Sequence, residues 1–179
     1  MKKQILKITK KAVALAALAL FCSVLVFGLC GCSGYTNQSL YPQDVQSICI
    51  EMFDNESFQR GVEYELTDAL AKRIEAQTPY KIVSDKDRAD AVISGKITSA
   101  ATAVLTAERQ TGRALEKEIG ITAVVNWKNL RTGQLLLDNK KVSASAGFSE
   151  WQNQGVDYAS TLAANKLAQR IVEEMEIEW

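Results

Sequence analysis

The chain has 179 residues, 47% hydrophobic and 23% charged, with 21 basic and 21 acidic side chains and no histidine. Without imidazole there is no histidine acid–base catalysis, no histidine triad and little scope for zinc. A neutral balance with no basic stripe argues against nucleic-acid binding, and neither a P-loop nor a GxGxxG run occurs.

The first 31 residues read as a secretory leader. Lys2, Lys3, Lys7, Lys10 and Lys11 precede an uncharged run, residues 12–29, and small residues follow. Eighteen apolar residues lie at the lower limit for a bilayer span, so an uncleaved anchor is the alternative. Leu29-Cys30-Gly31-Cys32 decides between them, because it resembles the lipobox of bacterial lipoproteins: Leu at −3, Gly at −1, Cys at +1. Cys30 follows Leu29 rather than a small residue, and Cys22 lies inside the apolar run. The resemblance implies cleavage after Gly31, diacylglycerol on the Cys32 thiol and an acyl chain (palmitate-type) on its amine. Two or more chains give stable membrane anchoring where one does not. Ser33 stands where an Asp would resemble an inner-membrane retention signal, which favours the outer membrane.

Residues 32–44 are polar, contain Pro42 and read as a lipidated tether, with Tyr35, Leu40 and Tyr41 available to dock on the fold. Residues 45–179 then form one domain. Losing the five leader lysines leaves 16 basic against 21 acidic residues, a charge of −5. Cys49 has no internal disulfide partner once Cys32 is lipidated, and its apolar neighbours predict a small buried side chain.

Residues 47–53 alternate, with Ile48, Ile50 and Met52 on one face, and predict a first strand. Asp54 and Asn55 are candidate helix N-caps. Phe58, Val62, Leu66, Ala69, Leu70 and Ile74 form one helical stripe ending near Ala76, and Thr78-Pro79 stops it. Residues 80–84 suggest a short strand. Asp85, Asp87 and Asp90 lack the spacing and glycine of a calcium loop and read as a solvated link. In residues 91–105, Ala91, Ile93 and Ile97 share a parity. Residues 106–117 read as a charged loop bending at Gly112. Ile119, Ile121, Ala123, Val125 and Trp127 give the clearest alternation. Gly133 suits the hairpin turn at 130–134, and residues 135–146 return as the last strand. Residues 149–155 are polar. A closing helix over 156–175 carries Tyr158, Leu162, Leu167, Ala168, Ile171 and Met175, with Glu173, Glu174, Glu176 and Glu178 at a solvated end. Trp127 falls on the core parity; Trp151, in polar surroundings, suits a partner contact. This order predicts an α+β two-layer sandwich: a four- to five-stranded mixed or antiparallel sheet with two helices on one face. The other face, rich in Thr, Ser, Asn and Lys, is left for water or a partner. No nucleophile motif and no metal-ligand set stands out, so the expectation is a non-enzymatic protein.

Several runs point to a family: Gly34-Tyr35-Thr36, Leu40-Tyr41-Pro42, the FDNESFQRG of residues 53–61, Glu65-Leu66-Thr67-Asp68-Ala69-Leu70, and the ADAVISGKI of residues 89–97. From Cys32 to Glu174 this layout resembles the LPS-assembly lipoprotein family, LptE, and its divergent members outside the enteric group in particular. The resemblance implies a small sheet covered by two helices, no enzymatic activity and no cofactor beyond the lipid on Cys32. It also implies a place as plug and assembly partner of the outer-membrane barrel LptD, on the periplasmic side and in the barrel lumen, where lipopolysaccharide is passed to the outer leaflet. Family members contact lipopolysaccharide through basic residues on the loop side of the sheet. The nearest match here is Arg109, Arg113 and Lys117, interspersed with Glu108, Glu116 and Glu118; a solvated hairpin loop accounts for them equally well. The early strand–helix–ADAVISGKI layout also resembles periplasm-facing adaptor lipoproteins that activate peptidoglycan synthases or secretion channels, which is the competing assignment.

Overall fold

The computed structural model describes residues 40–176. The leader, Cys32 and Tyr35 therefore lie outside the described residues. The strands are β1 (Ser47–Ile50), β2 (Asp54–Asn55), β3 (Lys81–Ile82), β4 (Ala91–Ala107), β5 (Ala114–Asn129) and β6 (Leu135–Phe148). The helices are α1 (Val62–Gln77), between β2 and β3, and α2 (Val156–Glu174) at the end. Strand order is β3-β1-β4-β5-β6, and β2 continues alongside β4 beyond β1. β1 lies parallel to β3 and β4, whereas β4, β5 and β6 form an antiparallel meander. The result is the predicted α+β arrangement, with six strands because β2 adds a short one.

The meander follows from alternation. Ile93 lies opposite Trp127, Gly95 opposite Val125 and Ile121 opposite Ala144, so one face collects buried apolar side chains. Ile48, Ile93, Ile97, Ile119, Ile121, Val125 and Trp127 are at most 2% exposed. Fully burying such a side chain contributes roughly 1.5–3 kcal/mol. Leu66, Leu70 and Ile74 from α1, Leu167 and Ile171 from α2, and Met175 just after it close this core. Tyr41, Tyr80 and Trp127 meet edge-on, with centroids 5.9 and 6.0 Å apart. Tyr41 therefore docks as expected, while Leu40 stays exposed. Cys49 is buried and free.

Several boundaries move from the expected places. β1 ends at Ile50, because the backbone jogs and puts Phe53 rather than Met52 into the core. Phe53 needs the missing side chain of Gly95: a Cβ there would stand 2.4 Å from the Val124 carbonyl oxygen and 2.7 Å from the Phe53 ring. α1 begins at Val62, not Phe58. Asn55 holds the loop before it instead of capping it: its amide nitrogen donates to the Gln59 carbonyl (2.8 Å) and to Glu63 (2.6 Å), and its oxygen accepts from Ser57. Phe58, on that tied loop, is fully exposed. On α2 the buried stripe is Ala159, Ala163, Ala164, Leu167, Ala168, Ile171 and Val172. Alanines let that helix lie close to sheet and neighbour, which leaves Tyr158 and Leu162 outside.

The charged stretch at 106–117 is the largest revision. β4 runs on to Ala107 and β5 starts at Ala114, so only residues 108–113 turn. Within the turn, Glu108 N–H donates to the Arg113 carbonyl, Gly112 N–H donates to the Glu108 carbonyl, and Gly112 takes φ +69°. Polar composition concealed the strand because side chains there meet water on both faces.

At the opposite end, Asp90 ties three elements together. Its carboxylate accepts from the N–H groups of Gln46 and Ser47 and from the Ser47 hydroxyl, each at 3.0 Å, and from Arg131 at 3.3 Å. The Gln46 N–H, followed by these other donors, holds the carboxyl below its usual range. Of the three acidic residues in the expected solvated link, Asp90 is thus a structural clasp.

Candidate functional site

β4 and β5 extend beyond the two helices as a hairpin arm. Both helices begin at that end: Glu65 of α1 accepts hydrogen bonds from Ser160 and Thr161 of α2, near both N-termini. The tether enters at the other end, where Tyr41 bonds Glu176 and Asp44 accepts from Asn129.

Arg113, the last residue of the turn, stands one position before β5 and four before Lys117, a spacing that at strand geometry puts both on one face. That face carries Ile119 and Ile121 further along, so the two cations are on the helix-bearing side, beyond the start of α2. The 3₁₀ turn Glu150–Gln152 meets them there. The Arg113 guanidinium carbon stands 4.6 Å over the Trp151 ring, within cation–π range. Lys117 Nζ is 2.5 Å from Glu150 Oε1, and that bond, with the lysine's charge, holds the Glu150 carboxyl below its usual range. A hollow of about 270 Å³ opens beside them, lined by Leu105, Lys117, Phe148, Ser149, Gln152 and Gln154 among others.

Arg113, Lys117 and Trp151 are thus brought together. Arg109 shares the exposed 108–113 turn with Arg113; the contact with Trp151 is Arg113's. Trp151 keeps 62% of its surface open, and its contact with Arg113 was not legible from spacing, since 38 residues separate them. Arg113 stacks on an uncharged ring, while its charge, after that of Lys117, also helps to lower the Glu150 carboxyl. Exposed Val104, Leu105, Tyr158 and Leu162 place apolar surface at this same end.

The helix-free face is largely polar, as expected, apart from a small buried cluster of Cys49, Ala89 and Val92. Ser94 lies opposite Asn126, and Thr122 opposite Ser143. Among the described residues no group of His, Cys, Asp and Glu is arranged to hold a metal ion, and no helix is long and apolar enough to cross a membrane.

Solved structures place this architecture in a recurrent class of small α+β domains. A hypothetical protein of Chlamydia trachomatis matches with a TM-score of 0.52 at 10% identity, over 72% of this chain and 94% of that one. An uncharacterized lipoprotein B of Nitrosomonas europaea matches with 0.51 at 14% identity, over 78% and 88%. A protein of Xanthomonas campestris matches with 0.52 at 12% identity, over 76% and 87%. These likenesses concern the fold. None of the curated proteins compared matches the chain. The family model for LptE, lipopolysaccharide-assembly, matches residues 45–176. The chain belongs to the LptE family.

Proposed function

We propose that this protein is an outer-membrane lipoprotein of the lipopolysaccharide transport machinery, the plug and assembly partner of an LptD-type β-barrel. It is lipidated on Cys32 after removal of residues 1–31, works without enzymatic activity or cofactor, and assists insertion of lipopolysaccharide into the outer leaflet. The observation that carries this reading is the family match over nearly the whole domain. The arm supports the lipid-contact part: Arg113 stacked on Trp151, beside Lys117 and exposed apolar side chains, suits a phosphorylated amphiphile.

Mild detergent extraction of the lipoprotein should recover a heat-modifiable β-barrel protein. Depleting the lipoprotein should lower the amount of assembled barrel and admit large hydrophobic antibiotics. Recovery of a peptidoglycan synthase or a secretion ring instead would transfer the assignment to the adaptor class. Arg109→Glu with Arg113→Glu should weaken lipopolysaccharide binding at least tenfold and leave barrel recovery intact. Unchanged binding would remove the arm from lipid contact. Cys32→Ala should abolish labelling by a palmitate analogue and leave the precursor uncut; equal labelling of mutant and wild type would remove the lipidation assignment.

A further inference from the structure

The sheet has two long outer edges, and only one is protected. Along β6, Lys166 donates to the Ser145 carbonyl at 3.1 Å and Arg170 donates to that of Ser143. Lys140, Lys141 and the irregular Asn139 (φ +47°) interrupt the same strand. Charge, covering side chains and irregularity are the usual protections of an edge. β4 is different. Its outer side is paired with β1 and β2 only as far as Ile97, and the last bond on that side runs from Glu56 N–H to the Ile97 carbonyl. From Thr98 to Ala107 the sequence is TSAATAVLTA, without charge or proline, and among the described residues no strand pairs with it there. Extra residues at Thr98 and Leu105 bound a regular run, Ser99–Val104.

We propose that this edge pairs antiparallel with the same edge of a second copy of the chain, so that two sheets continue into one. The proposal goes beyond the lipopolysaccharide reading and concerns the lipoprotein before it meets a barrel. Three observations select a second copy. First, the tether joins the domain at the far end, beside Glu176 and Asn129, and the eight residues 33–40 reach at most about 28 Å; at roughly 3.3 Å per strand residue that meets only the start of the bare run, which begins seven residues up β4 and continues away to Ala107. Second, a closed barrel has no free edge to offer, whereas a second copy presents one of equal length and composition.

Third, the edge matches itself. A dyad across an antiparallel pair must pass between a residue and its own copy, because opposed side chains share a face. Centred on Thr102, the pairing opposes Ala100 to Val104 and Ala101 to Ala103. It brings the end carrying Phe58, 104% exposed, toward the end carrying Val104 and Leu105, 57% and 55% exposed. Exposed apolar surface meets its like.

The test uses the full-length lipoprotein in mild detergent. Thr102→Cys should yield a disulfide-linked homodimer under mild oxidation. Ser145→Cys, on the protected β6 edge, should not. In sedimentation equilibrium, Val104→Lys should weaken wild-type self-association at least tenfold, since it sets like charges into the joint. A monomeric wild type at 100 µM and above (roughly the range for small interfaces) would overturn the proposal. So would equal crosslinking through Ser145→Cys, or a Thr102→Cys crosslink formed only to a different protein. Each variant's circular dichroism must match the wild type, which separates lost pairing from lost folding. Barrel recovery is read from the same extracts, so the plug reading and the pairing can fail separately.

Discussion

From Ala91 to Ile97 and from Ile119 to Asn129, the β4–β5 hairpin lies under two helices and its inward side chains are buried. From Thr98 to Leu115 the same strands carry almost no buried residue. Pairing resumes beyond one extra residue at Thr98; what differs between the halves is the cover. The covered half gains stability by burial. The uncovered half is held by its ladder and its continuity with the core, and its side chains are free for contact. One hairpin thus divides into a foundation and a working surface, which should respond to substitution on different scales.

The largest effect should come from Val125→Asp, which places an unpaired carboxylate at a fully buried position. Its cost, several kcal/mol, is on the order of a small domain's entire stability. Circular dichroism should show no cooperative melt; a normal melt would mean that the covered half is not the foundation. Gly95→Ala should cost about 1–3 kcal/mol, since the added methyl meets backbone on one side and Phe53 on the other. Adding Phe53→Ala should relieve part of that overlap, visible as non-additivity in a double-mutant cycle.

Asp90→Asn should cost about 2 kcal/mol, the scale of hydrogen bonds to a charged acceptor. Asp90 titrates lower in the folded protein than in the unfolded chain. Its contribution is therefore complete above the ordinary aspartate pKa of about 3.9 and fades as pH falls through the lower folded value. Urea midpoints across pH 2–6 should show a shallower acid dependence in the variant; identical slopes would remove the clasp. The smallest effect on stability should come from Trp151→Ala, within about 0.5 kcal/mol, because the ring is mostly open to solvent. If that variant melted much lower, the arm end would belong to the core after all and the contrast would fail.

The covered half was legible in the sequence because burial writes alternation. Ile119, Ile121, Ala123, Val125 and Trp127 share one parity, and all are buried. The uncovered half left no such trace. With water on both faces, Glu116 and Lys117 suit a strand as well as a loop, so the strands were read as too short. The helix stripe of α2 was misplaced for a related reason: alanine is a weak hydrophobic marker, and Tyr158 and Leu162 outweighed it. Arg113 and Lys117 were named from sequence, but their neighbours Trp151 and Glu150 arrive from a separate turn, and only tertiary structure brings them together. Asp90 looked like one member of a charge run; its role depends on Gln46 and Ser47, more than forty positions earlier.

The parallel pairing of β1 with β4 also has a consequence for the order of folding. Ile48 lies beside Ile82 of β3 and beside Ala91 of β4, so β1 emerges first from the ribosome and stays without a strand partner while about thirty further residues are made, and without β4 for about ten more. The meander from Ala91 to Phe148 is local by contrast, each strand turning directly into the next. Such contacts close quickly, whereas the early strand must wait for a distant one. During that interval the segment around Ile48 and Cys49 is the sticky part of the nascent chain, the stretch a holding chaperone would grip.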